Sequence, residues 1–372
     1  MKFHPTASSA FLLFLATSTL TFSQTQAFIA PLSSSTAFQT KSIHHDVSLN
    51  AIGVLARKAK EMDIKKYLES GEVEPDILEK LEEIKAASSE DVESSSQEVS
   101  EFQASLTKRK GTLTVIAEYK RRQDKGGFID EIYDPEILSP NFREFGASAI
   151  AVMADERMGG CTYDDIKVIK KEQDIAIGDM PGPLALVSSD LIVDDVQIAR
   201  SAAAGAKAVV LTFNVVGEDK LKTFIKSCAT LGMDAIVSVD NMDEAQKAVD
   251  FGATILMVTV STSLEELSPT ERGAALDGLN IPEGTQICRI ANIVSRDDKG
   301  LQEVEDSWIC RDNGFQAIWA SDFLYKSGND AIEHPGAIIK SMKAKSSVKW
   351  ASPKARGGKG EGAREYLGDI LM

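Results

Sequence analysis

The sequence predicts an α/β chain: a TIM (β/α)8 barrel with an N-terminal helical extension and a flexible C-terminal tail. Three observations lead there. From Thr114 onward, apolar runs of four to seven residues alternate with amphipathic segments, and strict alternation implies a parallel sheet with crossover helices. Eight such repeats fall within about 210 residues, which implies that the sheet closes on itself. Glycine punctuates the repeats, with Gly146, Gly205, Gly232 and Gly252 each placed just past a helical pattern, where an αL residue ends a helix.

In order, the predicted strands are 114–120, 148–154, 183–189, 208–213, 235–239, 255–260, 285–290 and 317–320. Amphipathic segments between them include Pro135–Phe145, Asp195–Ala204, Glu218–Leu231, Asp243–Phe251 and Leu264–Leu279. An open doubly wound sheet is the competing architecture. It calls for a GxGxxG fingerprint after its first strand, and this chain has Arg121-Arg122-Gln123-Asp124-Lys125-Gly126-Gly127 there.

Ahead of the barrel the chain divides into a presequence over 1–50 and a helical extension with an acidic linker over 51–112. The barrel occupies 113–344, and a basic, Gly-rich tail 345–372. The presequence has a short apolar core from Phe11 to Leu15 after Lys2, too short to span a membrane, with a cleavage site expected near Gln26-Ala27. The hydroxyl-rich stretch after Phe28 resembles the second half of a bipartite plastid presequence, so plastid (chloroplast) delivery is the expectation and plain secretion the alternative. In the extension, Ile52, Leu55, Ala59 and Met62 recur at helical spacing and predict an amphipathic helix over 51–68. A second helix is expected after Pro75, with Asp76 and Glu79 as a capping box and Ile77, Leu78, Leu81 and Ile84 on one face.

Composition narrows the chemistry. The net charge of −15 over 372 residues argues against a nucleic-acid partner. Between Glu61 and Glu101 there are 14 acidic and 4 basic residues, a net of −10, so most of the excess lies in the extension. The basic tail (Lys349, Lys354, Arg356, Lys359) reads first as a flexible tail that keeps the chain soluble; the alternative is that it and the acidic segment are docking segments for a protein partner. Cys161, Cys228, Cys288 and Cys310 are widely spaced and predict reduced, buried thiols. Only His334 lies in the body, because His4, His44 and His45 fall in the first fifty residues. A Ser-His-Asp or Cys-His centre is therefore disfavoured, and no metal or other cofactor is expected.

In a closed parallel barrel, chemistry gathers at the C-terminal strand ends and the loops after them. Those positions read Glu118 and Lys120, Asp155, Ser189 and Asp190, Asn214, Ser238 and Asp240, Thr259 and Ser261, Arg289 and Asn292, Ser321 and Asp322. Only the first strand offers a carboxylate and a lysine together. Period two puts Glu118 and Lys120 on one side of that strand. They read either as a structural ion pair or as the floor of an active site.

At these residues the chain resembles the indole-3-glycerol-phosphate synthase family, barrels that close the indole ring with loss of CO₂ and water. Ser100-Glu101-Phe102 precedes the first strand as in that family, and Ile116-Ala117-Glu118-Tyr119-Lys120-Arg121 is similar to its IAE-x-KR. Phe145-Gly146-Ala147 with Ile150-Ala151-Val152 fits GA…SVLT, Asp190 to Ile198 fits KDFIIDEYQI, and Leu231-Gly232-Met233 fits LGL. The resemblance runs from about Ile52 to about Lys343.

The resemblance implies decarboxylating ring closure of 1-(2-carboxyphenylamino)-1-deoxyribulose 5-phosphate, a small phosphorylated anthranilate-derived substrate. It puts Lys120 and Glu118 in the catalytic first-strand pair, and Asp190, Ser189, Ser238, Asn292 and Ser321 around the substrate. Several family positions differ here. The lysine of KDF is Ser189, the glutamate of VEVH is Ser238, the asparagine of NNR is Thr259, and the glutamate of SESGI is Ile290. The phosphate-binding SPSKG becomes Gln123 to Gly127, and the glycines after strands seven and eight become Asn292 and Ser321. Three functions compete: a synthase in which Lys120 is the acid, a non-catalytic relative that binds a small molecule or a protein, and a different small-molecule enzyme on the same scaffold using Glu118, Lys120 and Asp190.

Overall fold

The computed structural model describes residues 40–88, 99–108, 111–123, 127–128, 134–258, 268–274, 276–293, 295, 301–325 and 333–344. The chain forms two units, Met1–Ile43 and His44–Met372. The first contributes only the opening of one helix to the described residues; the second holds the barrel. The expected presequence core, the Ser- and Glu-rich linker after Ser88 and the basic tail lie outside the described residues, as do Asp124, Lys125, Gly126, Thr259 and Ser261.

Eight parallel strands, counted among the described residues, close into a barrel. They are β1 (Thr114–Tyr119), β2 (Ala149–Val152), β3 (Ala185–Ser188), β4 (Ala208–Thr212), β5 (Asp234–Val239), β6 (Ile255–Val258), β7 (Cys288–Asn292) and β8 (Ala317–Ala320). Each pairs with its neighbours in sequence, and β1 closes the ring by pairing with β2 (Glu118 opposite Ala151) and β8 (Ile116 opposite Trp319). All eight expected strands are present in order. Two short segments, Arg122–Gln123 and Gly127–Phe128, form an antiparallel pair after β1.

The strands read as nearly continuous apolar runs because both of their faces are buried. One face points into the lumen, where Ile116, Ala151, Val187, Val210, Ile236, Met257, Ile290 and Trp319 form a single cluster. The opposite face (Val115, Ala117, Ile150, Leu186, Val209, Val237, Leu256, Ile318) packs against the helical ring. Most of these side chains are fully shielded from water, and each large aliphatic one contributes about 1.5–3 kcal/mol relative to exposure.

The extension departs from expectation in detail. The helix α1 runs Thr40–Glu69 and α2 Pro75–Ser88, with α3 at Glu101–Leu106. On α1, Leu55 and Met62 of the expected stripe face outward, at 67% and 59% exposure. The packed face instead carries Arg57 and Lys60, which reach polar groups at the strand ends, and Ile64 and Tyr67, which pack with Ile77, Leu81, Val193, Val196 and Ala199. The capping box of Asp76 and Glu79 is also displaced. The helix opens at Pro75, and the Glu74 carbonyl takes the first-turn N–H bonds of Ile77 and Leu78. Ile77, Leu81 and Ile84 are buried as expected, whereas Leu78 is exposed. The short α3 closes the N-terminal end of the barrel. Phe102 and Leu106 join the lumen cluster, and Gln103 Nε2 donates to the Gln286 carbonyl at 2.6 Å.

The helical ring includes α4 (Pro135–Glu144), α5 (Tyr163–Ile175), α6 (Asp195–Ala203), the one-turn α7 (Phe213–Val216) after β4, α8 (Glu218–Thr230), α9 (Met242–Asp250), α10 (Pro269–Ala274), α11 (Leu301–Asp312) and α12 (Glu333–Ala344). Asp194 starts α6 through a capping box with Gln197. Gly146 and Gly252 follow α4 and α9 at φ +89° and +96°, conformations a Cβ would disfavour. The helix expected over Leu264–Leu279 is described only as Pro269–Ala274.

Candidate active site

The alternation that sends Ile116 into the lumen sends Glu118 there too, and Lys120 follows one residue past the end of β1. Both side chains are almost fully buried, each at 2% exposure. Two carboxylates share the ammonium's surroundings. Lys120 Nζ makes an ion pair with Asp322, the residue that opens the turn Asp322–Tyr325 after β8. The Ser321 hydroxyl donates to Glu118 Oε2, and the Tyr325 hydroxyl donates to the Glu118 carbonyl at 2.6 Å. Burial pushes the Glu118 carboxyl above its ordinary range. The Lys120 charge and hydrogen bonds to Ser321 and Ser189 pull it back, and Asp322 raises it again. A carboxyl so placed holds a proton more tightly than an exposed one.

Ser189, Ser238, Asn292 and Ser321 lie on the same inward parity. Ser189 reaches Glu118. Ser238 stands on β5 opposite Thr212 and Met257 and is buried. Asn292 ends β7 opposite Trp319, and its carbonyl accepts from Arg272. The floor of the mouth is therefore two carboxylates, Glu118 and Asp322, the Lys120 ammonium and several hydroxyl and amide groups. Ile290, fully buried, occupies the β7 position below Asn292.

Asp190 takes the other parity. It leaves the lumen for the layer between strands and helices, and its two oxygens receive four donors. Tyr163 Oη (2.6 Å) and Gln197 Nε2 (2.7 Å) donate to Oδ2. The Leu191 N–H (2.7 Å) and Lys60 Nζ (2.5 Å) meet Oδ1. The structure thus brings Glu118, Lys120, Ser189 and Ser321 together and keeps Asp190 apart from them.

Two participants escape sequence reasoning. Lys60, on α1, also reaches Asp155 Oδ2 at 2.7 Å, so one ammonium bridges the residues that follow β2 and β3. Burial alone would lower the Lys60 pKa, but Asp190 and Asp155 outweigh it and raise it. Burial would likewise raise Asp155, but Lys60 and the N–H groups of Met158 and Arg157 bring it below its ordinary value. Asp63 to Arg157 at 2.7 Å and Arg57 Nη1 to the Val215 carbonyl at 3.1 Å complete the attachment of α1. The second participant is Asp322, visible from sequence as a strand-end residue but not as the partner of Lys120.

Among the described residues no three His, Cys, Asp or Glu side chains gather as metal ligands would, and no helix is long and apolar enough to cross a membrane. The four cysteines are buried thiols with no disulfide between them. Burial pushes the Cys161 and Cys288 thiols up to about 12, far from the thiolate a nucleophile needs.

Sequence comparisons agree with this geometry. A family model described as "Indole-3-glycerol phosphate synthase" matches residues 71–268. The synthase of Leptospira interrogans is 34% identical over 145 residues, 39% of this chain and 54% of that protein. That of Roseiflexus sp. is 33% identical over 167 residues, covering 44% and 61%. That of Chlorobaculum tepidum is 25% identical over 227 residues, covering 61% and 82%. The chain thus spans little more than half the length of the first two relatives. With the family model matching over half of its residues and a closed (β/α)8 barrel beneath them, this chain belongs to the indole-3-glycerol-phosphate synthase family.

Proposed function

We propose that the barrel acts as an indole-3-glycerol-phosphate synthase whose chemistry rests on one pair, Lys120 as proton donor to the substrate's keto oxygen and Glu118 as proton acceptor. The substrate is the phosphorylated anthranilate derivative of the family reaction, 1-(2-carboxyphenylamino)-1-deoxyribulose 5-phosphate, ring-closed with loss of CO₂ and water. The observation that carries this reading is the lumen-facing Glu118, its proton affinity raised by burial, beside the Lys120 ammonium on the mouth floor. One general acid or base contributes about 10²–10⁴-fold. With Ser189, Ser238 and Ile290 at the positions of a family lysine and two glutamates, turnover falls several orders of magnitude below that of a full complement, less than additively.

The replacement of those three residues by two hydroxyls and an alkyl group favours a second reading, a non-catalytic relative that binds a small molecule or docks a protein through its acidic extension or basic tail. Delivery to a plastid through the presequence is part of both readings. The two separate in a tryptophan-requiring host lacking the synthase, given the chain from Ala51 onward. Growth without tryptophan that is lost in Lys120→Ala supports the enzyme. Absence of growth with soluble, folded protein supports the binding protein.

A further inference from the structure

Lys120, one residue past β1, continues that strand's inward parity and already has an anion, while the buried Arg272 of α10 reaches the β7 end through the Asn292 carbonyl. Barrels of this class commonly hold a ligand's phosphate at the loops after strands seven and eight. Here the loop after β8 places Asp322 at that location and aims its carboxylate at Lys120. Ser321, the neighbouring donor, is turned to Glu118. The β8 end thus commits its polar groups to the two charged residues of β1.

We propose that Asp322 is a specificity-determining residue, a resident carboxylate at the strand-eight loop where a ligand's phosphate would lie, paired with the ammonium of Lys120, the proposed proton donor. Glu118, Asp322 and Lys120 together carry a net charge of −1 when both acids are ionised. An incoming phosphate monoester meets repulsion and a cation already neutralised. The Lys120 side chain is 2% exposed and that of Asp322 22%, so the exchange proceeds by the carboxylate turning outward to solvent while the ammonium stays. This inference rests on the reading that the mouth takes a phosphorylated ligand, and it adds that such a ligand enters by displacing Asp322. Ligands with a single negative charge or none are admitted with less penalty.

The test is calorimetric titration of inorganic phosphate into the wild-type chain, Asp322→Ser and Asp322→Asn, the last retaining shape while removing charge. Circular dichroism and a melting curve check that each is folded. Asp322→Ser and Asp322→Asn are expected to bind phosphate at least about tenfold more tightly than wild type, equivalent to about 1.4 kcal/mol. Adding Lys120→Met to Asp322→Asn is expected to abolish the gain. Equal affinity in wild type and both Asp322 variants overturns the proposal while leaving a phosphate-binding mouth intact. Absence of saturable binding in all folded variants overturns the proposal and the phosphorylated-ligand reading together. Catalysis is judged separately by growth without tryptophan.

Discussion

Lys60 Nζ lies 2.5 Å from Asp190 Oδ1, tying the N-terminal helix α1 to the residue that follows the third strand. The same ammonium holds Asp155 beyond the second strand, so the extension is fastened to the barrel rim by charge as well as by the apolar cluster of Ile64, Ile77 and Leu81 with Val193, Val196 and Ala199. Removing one partner of a largely buried ion pair leaves the others uncompensated, at a cost of about 3 kcal/mol. Lys60→Met is therefore expected to lower unfolding stability by about 2–4 kcal/mol in urea titrations. Amide exchange should speed up over 54–69 before it does in the barrel strands.

The pH dependence of that clasp follows from the signs of the shifts. Lys60 is raised above its ordinary 10.5, so its contribution is full below 10.5 and is lost as pH rises through the native value. Asp155 is lowered below 3.8, so its contribution is full above 3.8 and is lost as pH falls through the native value. The stability difference between wild type and Lys60→Met is thus expected to be constant from about pH 5 to pH 9. A steep change inside that window, followed by urea unfolding at several pH values, would count against the bridge.

Glu118 behaves oppositely. Its carboxyl is raised above 4.5, so the folded chain binds that proton more tightly than the unfolded one, and stability falls as pH rises through the window from 4.5 up to the native value. Glu118→Gln cannot lose a proton. Its melting temperature relative to wild type is expected to climb across that window and level off above it. A constant difference would show that the carboxyl is not shifted.

The lumen positions of Ser189 and Ser238 invite a gain-of-function test. Ser189→Lys supplies a second ammonium beside Glu118, and Ser238→Glu a second carboxylate across the mouth. The pair of substitutions is expected to raise turnover of the family substrate by about 10²-fold or more, the contribution of one general acid. Steady-state kinetics on the purified double variant measures it.

Much of this is legible in the sequence because the barrel is written in a repeated signal. Runs such as Ala208–Leu211 and Ile255–Val258 are apolar on both faces, and Gly146 and Gly252 mark helix ends where only the backbone matters. Glu118 and Lys120 stand out as charges at the end of such a run. Asp190 is harder to assign. It shares a strand end with Ser189, and only the side-to-side alternation separates lumen from outer layer. The docking face of α1 is hidden because its apolar spacing points to a buried stripe, yet Leu55 and Met62 face outward. Arg57, Lys60, Ile64 and Tyr67 share that same helical spacing, and the surface they meet is part polar and part apolar. Asp322 lies 202 residues from Lys120 by number, and their pairing arises only when β8 closes against β1.

The central claim is that Lys120 on the mouth floor drives what turnover the barrel has. It is tested most directly by mixing an excess of purified chain with 1-(2-carboxyphenylamino)-1-deoxyribulose 5-phosphate and following the rise of indole fluorescence in a single turnover. The account predicts slow, complete conversion by wild type and a loss of at least about 10²-fold in Lys120→Ala. Conversion at the same rate in both, or none by the folded wild-type chain, would contradict it.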